Sequence, residues 1–356
     1  MSFPLPRLPE LALESKLAFL RQPTSFPDHP YRVEAIETHM SWVFLTEKFA
    51  YKLKKPVCLE ALDFRSIEAR RHYCEEEVRL NRRLAREVYL GVVAIAMNAV
   101  GHLRLCEADI SSEGETIVDW LVQMRRLPAQ HMLDYAIKSG TVGDDDMGRV
   151  AARLALFYRS CAPVPVSAAA YRAALLRDID RNEQVLTRPV AGLPERSIRE
   201  LCAMQRAVVN QQPEWLDGRV RAGKIVEGHG DLRPEHVCLK PEVMVIDCLE
   251  FSSTLRTIDP LDEVAYLALE CGRLGSPNAG AFLLNAYGEF SGDPPPTNLV
   301  NFYQGFRAVL RARLAIAHLD EEKFRHSEEW HRRAKSYLRL AERCQKALNA
   351  VTDPPV

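Results

Sequence analysis

The fold is decided by the stretch Val226–Val237, which reads VEGHGDLRPEHV, and by the apolar run Val243–Ile246 that leads into Asp247. The first stretch places Asp231 in a tight polar loop, directly after a glycine that lets the backbone turn. The second carries Asp247 to the end of a short strand, sixteen positions later. Two carboxylates presented in this way suit a site that deprotonates a hydroxyl and holds a metal ion. Phosphoryl transfer has these two requirements.

Composition limits the class of the molecule. At 356 residues and 47% hydrophobic content, the chain is long enough for two lobes, each with its own core. The 47 basic and 48 acidic residues nearly cancel, so we expect neither a nucleic-acid partner nor a membrane surface. Prolines interrupt the first ten residues, and the longest apolar run, Gly91–Val100, is about half a membrane span. Nine scattered cysteines without C-x-x-C spacing favour a reducing compartment, so we expect a cytoplasmic protein.

Hydrophobic patterning predicts an α+β protein with two lobes. The N-terminal lobe, residues 1–127, has the order strand, strand, helix, strand, strand, which is typical of a small antiparallel sheet with one main helix. The predicted strands are 32–46, 49–57, 91–105 and 116–125, and the helix is 63–86. The C-terminal lobe, residues 128–356, is predicted to be larger and mostly helical, with Asp293–Pro296 breaking its last part.

A lysine suited to phosphate binding lies in the second predicted strand. The period of two puts Ala50, Lys52 and Lys54 on one face, and the small alanine leaves room for a purine. A carboxylate from the helix is expected to hold the ammonium group of Lys52 in place. Glu76 is the first choice for this ion pair and Glu77 is a close second.

The predicted junction of the lobes offers backbone groups to a nucleotide base. Met124, Arg125 and Leu127 lie where an extended segment leaves the sheet. We expect the carbonyl of Arg125 and the amide of Leu127 to pair with an adenine edge.

Asp231 is the predicted catalytic base, because it could accept the proton of an attacking hydroxyl. His229 is assigned to the same catalytic loop, where it supports the loop by hydrogen bonds rather than transferring protons. Asp247 is the predicted metal ligand, since a hard cation prefers anionic oxygen. Glu250, three residues on, could reinforce that charge or bind a backbone amide.

Together these residues resemble the aminoglycoside phosphotransferase family within the protein-kinase-like fold. The resemblance rests on the HGDLRP motif at 229–234, Ile246-Asp247, Ala50-Tyr51-Lys52, the segment MRRLP at 124–128 and the segment DPLDEVA at 259–265. It covers residues 33–270 and is strongest to an uncharacterised bacterial branch. It implies an ATP-dependent kinase that acts on a hydroxyl of a small molecule, with Mg2+ as the metal, and it implies that the segment 259–265 supports the catalytic loop.

Two departures from the family pattern affect the expected site. The family has Asn five residues after the catalytic Asp as a second metal ligand, whereas this chain has His236. An imidazole ligand would shift the preference from Mg2+ toward a softer ion such as Mn2+. The turn Thr38–Ser41 lacks the glycines of a phosphate loop, so we expect backbone amides and Ser41 to serve there.

The acceptor is expected to be neutral or anionic. Residues 301–346 contain eleven Lys or Arg against six Asp or Glu, including Arg307, Arg311 and Arg313 on one predicted helix. If this helix lines the acceptor site, it would repel a polycation; a solvated basic face is the alternative. Two other functions stay open: a catalytically weak or inactive nucleotide-binding regulator, and a protein nucleotidyltransferase.

Overall fold

The computed structural model describes residues 11–59, 62–107, 114–320 and 327–352. The strands are β1 Glu34–Glu37, β2 Ser41–Leu45, β3 Phe49–Lys54, β4 Cys58–Leu59, β5 Leu62–Asp63, β6 Tyr89–Met97, β7 Leu103–Glu107, β8 Thr116–Arg125, β9 Val226–Glu227, β10 Val237–Cys238, β11 Met244–Val245 and β12 Thr257–Ile258. The helices are α1 Leu13–Leu20, α2 Ile67–Ala85, α3 Leu133–Lys138, α4 Asp144–Ser160, α5 Ala168–Leu186, α6 Glu195–Gln211, α7 Pro213–Arg221, α8 Ser253–Arg256, α9 Pro260–Arg273, α10 Pro277–Ser291, α11 Thr297–Ala317 and α12 Glu328–Thr352. The first ten residues, with the prolines noted in the sequence, lie outside the described part.

The chain divides into two compact units. The first runs up to His131 and also takes in Met244–Ser253, and the second contains the remaining residues. The predicted division at residue 127 did not anticipate that a ten-residue segment from far along the chain belongs with the first unit. This segment carries Asp247 and Glu250.

The first unit is built on a six-stranded antiparallel sheet, in the order β1-β2-β3-β8-β6-β7. The predicted small antiparallel sheet is confirmed, but two segments predicted as single strands are each two strands. The first of them turns at Thr38, whose hydroxyl oxygen accepts the amide of Ser41 at 3.0 Å. The other turns at Asn98–His102, where Gly101 takes a φ of +86° that favours glycine. Helix α1 was not predicted.

Helix α2 covers one face of this sheet. Ser66 caps its N-terminus by accepting the amide of Ala69 at 3.1 Å. Its apolar side, which includes Cys74 and Val78, packs into a core with Trp120 and Val122 of β8. Because Glu77 lies on this packed side, its carboxylate is buried within the first unit.

The second unit is helical, as predicted, with a core formed mainly by α5, α6, α9, α11 and α12. Helix α9 is buried along Pro260–Cys271, so its polar side chains point into protein rather than water. The loop that carries Asp231 follows the short strand β9, which pairs with β12 at the entrance to α9. Among the described residues, no helix is long and apolar enough to cross a membrane.

Candidate active site

Lys52 lies between two carboxylates of the first unit. Its Nζ is 2.9 Å from Oε1 of Glu77 and 2.8 Å from Oδ1 of Asp247. Burial alone would lower the pKa of this ammonium group, but Asp247 and Glu77 more than offset that effect and hold the pKa well above its usual range. The lysine is therefore charged at neutral pH and fixed in position.

The partner of Lys52 on α2 is Glu77, so the preference for Glu76 was wrong and the second choice was right. Glu76 instead contacts Arg79 at 2.8 Å on the outer side of the helix. The reason is the helical phase: Glu77 shares the buried side with Cys74 and Val78, three residues before it and one after it.

A second lysine extends this charge cluster. Lys54 is fully buried, and its Nζ lies 2.6 Å from Oε2 of Glu77 and also contacts Oε1 of Glu250. Glu250 therefore binds a side-chain cation, and this contact adds to the two roles that the sequence left open for it, which stay predictions. Burial would lower the pKa of Lys54, and Glu250 and Glu77 reverse this and raise it. The first unit thus holds two ammonium groups among three carboxylates.

Asp247 has an unusual backbone. Its φ is +62°, in the left-handed region that most side chains avoid and that Asp tolerates better than most. The hydroxyl oxygen of Tyr89 accepts the Asp247 amide at 3.1 Å, which helps to fix this conformation. The side chain of Asp247 is 47% exposed, so its carboxylate is the accessible member of the cluster.

The segment Met124–Leu127 leaves β8 as predicted. Met124 pairs with Ala50 of β3, and the amide of Arg125 donates to the carbonyl of Val88 at 2.8 Å. Within the part of the chain that the structure describes, no hydrogen bond uses the amide of Leu127. The role of this amide toward a nucleotide base stays a prediction.

Ser41 does not have the surroundings expected of a phosphate-binding residue. It is buried, and its amide is used within the turn by the hydroxyl oxygen of Thr38. In the β2–β3 pairing, Ser41 lies opposite Lys54. A phosphate role for Ser41 stays a prediction.

The loop around Asp231 is held in the second unit by Glu263 of α9. This buried carboxylate accepts the amide of His229 at 2.9 Å and also the amide of Gly230, whose φ is +91°. The hydroxyl of Tyr158 donates to the same carboxylate at 2.6 Å. A Cβ on Gly228 would lie 2.5 Å from Oε2 of Glu263, so only glycine fits there. The His-Gly-Asp turn is thus fixed by backbone amides that converge on one carboxylate.

Asp231 is flanked by two arginines of the second unit. Its Oδ2 is 2.9 Å from Nε of Arg233, and its Oδ1 is 3.7 Å from a guanidinium nitrogen of Arg311. Burial would raise the pKa of this carboxyl, but the two positive charges outweigh burial and lower it. Asp231 is therefore ionised at neutral pH, as a group that accepts a hydroxyl proton must be.

The two histidines of the loop act as supports. Nδ1 of His229 accepts the amide of Asp231 at 3.3 Å, in line with the supporting role predicted for it. Nδ1 of His236 is 2.8 Å from the carbonyl oxygen of Asp231, so this nitrogen carries the proton. Nε2 of His236 then accepts from Arg233 at 3.0 Å.

The donor set can be tested for a divalent metal. Asp247 fits, because its carboxylate is accessible and Mg2+ is commonly held by one or two carboxylates together with substrate phosphates. His236 does not fit, because both ring nitrogens are already used inside its own loop. Over the described ranges, no group of three or more His, Cys, Asp or Glu residues could hold a metal ion.

Several residues that the geometry singles out were given no role of their own from the sequence, namely Lys54, Tyr89, Arg233 and Glu263. Two of them carried a signal: Lys54 shares a strand face with Lys52, and Glu263 lies in the segment 259–265 that the resemblance assigns to supporting the catalytic loop. Tyr89 acts through a contact with a residue distant in sequence, which a local pattern does not reveal.

Comparison with known sequences gives uncharacterised relatives. No family model matches the chain. Uncharacterised proteins of Mycobacterium bovis and Mycobacterium tuberculosis are 30% identical to it over 302 residues, which is 83% of this chain. Those residues make up 57% of the length of the relatives, so the chain corresponds to little more than half of each.

Comparison with solved structures gives small-molecule kinases. A choline/ethanolamine kinase family protein from Mesorhizobium loti is 16% identical, with a TM-score of 0.54 and coverage of 95% of this chain and 96% of the other. The GDP complex of an aminoglycoside 2'-phosphotransferase variant is also 16% identical, with a TM-score of 0.56 and coverage of 96% and 99%. A choline kinase from Cryptosporidium parvum is 8% identical, with a TM-score of 0.55 and coverage of 95% and 97%. The likeness predicted from the motifs is thereby confirmed at the level of architecture, and the chain has the protein-kinase-like fold of aminoglycoside phosphotransferases and choline/ethanolamine kinases.

Proposed function

We propose that the protein is an ATP-dependent phosphotransferase that acts on a hydroxyl of a small molecule. The observation that carries this proposal is the position of Lys52, whose ammonium group is held between Glu77 and Asp247 at 2.9 and 2.8 Å. Binding of a nucleoside triphosphate and its metal requires a fixed, charged lysine beside an accessible carboxylate. The likeness in fold to small-molecule kinases, one of them a GDP complex, supports the same reading.

Each residue has a role in this reaction. Lys52 neutralises phosphate oxygens of ATP, and the backbone groups of Arg125 and Leu127 receive the adenine edge. Asp231 orients the acceptor hydroxyl and takes its proton. As the hydroxyl oxygen bonds to the γ-phosphorus, the bond from that phosphorus to the bridging oxygen of ADP breaks and ADP leaves.

Asp247 is the residue that would hold Mg2+, which would neutralise charge on the β- and γ-phosphates when bound. An imidazole ligand would have favoured Mn2+. Because both ring nitrogens of His236 are used within its own loop, the imidazole does not serve as a ligand, and Mg2+ is the metal we propose. Its site would then consist of one protein carboxylate and substrate oxygens.

The test is phosphate transfer from labelled ATP to a panel of hydroxylated small molecules, with Asp231→Asn as the decisive variant. We expect the variant to lose turnover and keep its ATP affinity, since the lost group serves the acceptor rather than the nucleotide. Asp180→Asn, which neutralises an exposed carboxylate on α5, is the matched control and should behave like the wild type. Equal turnover in Asp231→Asn would reject the proposal.

A nucleotide-binding regulator with little catalysis is the second candidate. It is favoured by the use of His236 as a loop support at the position where the resemblance implies a second metal ligand. ATP binding without transfer to any acceptor in the panel, with Mg2+ or Mn2+, would select it. Mass spectrometry of a labelled product separates both from nucleotidyl transfer, which adds a nucleoside monophosphate instead of a phosphate.

A further inference from the structure

Arg311 of α11 is a largely buried cation, and one nitrogen of its guanidinium group has no hydrogen-bond partner among the described residues. Its side chain is 14% exposed and lies 3.7 Å from Asp231, which is close enough for an ion pair but too far for a hydrogen bond. The guanidinium carbon is 5.9 Å from the ring centroid of Tyr337. Among the residues that the structure describes, Nε of Arg311 has no hydrogen-bond partner. A guanidinium group offers five donors.

Arg307, about one turn earlier on the same helix, shows how this fold pairs a buried arginine. Its guanidinium donates to both oxygens of Asp262, at 2.7 and 2.9 Å. Burying a cation without hydrogen-bonded partners is costly, so the unpartnered Nε of Arg311 calls for an explanation. Asp231 does not satisfy Arg311, because the 3.7 Å separation is too long for a hydrogen bond and its other oxygen lies 2.9 Å from Arg233. The position of Arg311 suits an anionic oxygen group supplied by a ligand.

The hydroxyl of Tyr266 is a second unsatisfied donor in the same region. Tyr266 lies on α9, its side chain is 1% exposed, and within the described ranges its hydroxyl has no hydrogen-bond partner. Burial raises its pKa well above the ordinary value, and the charges of Arg311 and Asp231 act on the same group. The hydroxyl therefore stays protonated and is able to donate.

The second unit also contains a cavity of about 610 Å³, and two residues of its wall contact neighbours of Asp231 and Arg311. Glu235, which contacts Arg233 at 2.6 Å, belongs to its wall. So does Arg273, whose guanidinium carbon is 5.4 Å from the ring centroid of Tyr337, the same ring that Arg311 faces. The volume lies in the range of small-molecule pockets. The charged lining consists of five basic and three acidic side chains, namely Lys138, Arg273, Arg332, Arg333 and Arg339, and Asp134, Glu235 and Glu329.

We propose that Arg311 and Tyr266 bind an anionic oxygen group, a carboxylate or a phosphate, of the hydroxyl-bearing acceptor. The identification of the bound molecule as the acceptor rests on the proposed function. Its anionic group is inferred from the surroundings of Arg311 and Tyr266. An acidic group held beside Asp231 would place a hydroxyl of the same molecule at the base. The basic excess of the cavity lining would attract such an acceptor and repel a polycation.

Binding is tested first, without ATP, so that the result does not depend on turnover. Inorganic phosphate and D-glycerate are titrated into the full chain by calorimetry at low ionic strength, with glycerol as the uncharged comparison. We expect Arg311→Gln to weaken phosphate binding by about 10- to 100-fold and Tyr266→Phe by about 3- to 10-fold. Arg343→Gln, an exposed arginine of α12, should leave it unchanged. Phosphate affinity that is equal in Arg311→Gln and the wild type would overturn the proposal.

Turnover then tests whether the anion belongs to the acceptor. In the wild type, D-glycerate should be phosphorylated with a kcat/KM at least tenfold above that of glycerol, and Arg311→Gln should remove this preference by raising KM. An equal loss on both acceptors would mean that Arg311 serves the transferred phosphate, which overturns the acceptor assignment. Anion binding that depends on Arg311, with no transfer to any acceptor, would reject the phosphotransferase and leave the anion subsite standing.

Discussion

Glu77 and its neighbour Glu76 allow a controlled test of the charge cluster in the first unit. The carboxylate of Glu77 is buried, and its two oxygens contact Lys52 at 2.9 Å and Lys54 at 2.6 Å. In Glu77→Gln, an amide nitrogen replaces one of these oxygens and faces an ammonium group. One buried cation thereby loses an acceptor, although the shape of the side chain is kept.

The expected loss of stability in Glu77→Gln depends on which carboxylate partners each lysine keeps. Removing one partner of a buried ion pair costs about 3 to 5 kcal/mol. Because Lys52 keeps Asp247 and Lys54 keeps Glu250, we expect the lower end, about 3 kcal/mol. Glu76→Gln removes only an exposed contact with Arg79 and should cost about 0.5 kcal/mol.

The measurement is hydrogen exchange by mass spectrometry over β3 and α2, which reports the free energy of local opening. Urea unfolding of both variants gives the global value. We expect Glu77→Gln to exchange faster across both elements, while Glu76→Gln resembles the wild type. If the two variants exchange alike, the cluster does not stabilise the first unit and the reasoning fails.

Two further predictions concern the catalytic loop. Gly228→Ala should lower the free energy of unfolding by about 1 to 3 kcal/mol and reduce turnover, because the new Cβ would meet Glu263 at 2.5 Å and Ile258 at 2.6 Å. Gly218→Ala on α7 meets nothing within 4 Å and should be neutral or stabilising, so equal urea midpoints for the two variants would contradict the steric argument. The pKa of Asp231 lies below its ordinary value of 3.8, so its carboxylate stays ionised as the pH falls from 8 to 5. We therefore expect kcat/KM to stay constant over this range. Arg311→Gln removes a positive charge and raises that pKa, which should move the acid limb of the profile to higher pH; superimposable profiles would show that Arg311 does not act on Asp231.

The sequence predicted well those parts of the molecule that depend on local pattern. Alternating and helical periods identified the antiparallel sheet, α2 and the helical second unit. The glycine before Asp231 indicated a tight turn, and Gly230 does take a positive φ there. The turn at Asn98–His102 was not predicted, because apolar Met97 and Leu103 flank it and the strand pattern continues across it. The turn at Thr38–Ser41 was recognised, but it was placed inside one predicted strand.

What the sequence did not predict are the contacts between distant segments. The choice between Glu76 and Glu77 depends on which side of α2 meets the sheet, and a shift of one residue rotates a side chain by about 100°. Two adjacent acids of α9 have different partners. Asp262 binds Arg307, whereas Glu263 accepts the backbone amides of the loop. Only the packing of α9 decides which of these two acids reaches the backbone amides of the loop.

The segment Met244–Ser253 determines how this protein can be dissected. It supplies Asp247 and Glu250 to lysines of β3 that precede it by nearly two hundred residues. A fragment truncated at His131 would keep both ammonium groups and leave Glu77 as their shared counter-ion. Such a fragment should fold poorly on its own. Supplying the ten residues again, as a tethered extension or a separate peptide, should restore it, so the first unit is autonomous only when a distant piece of the chain is returned to it.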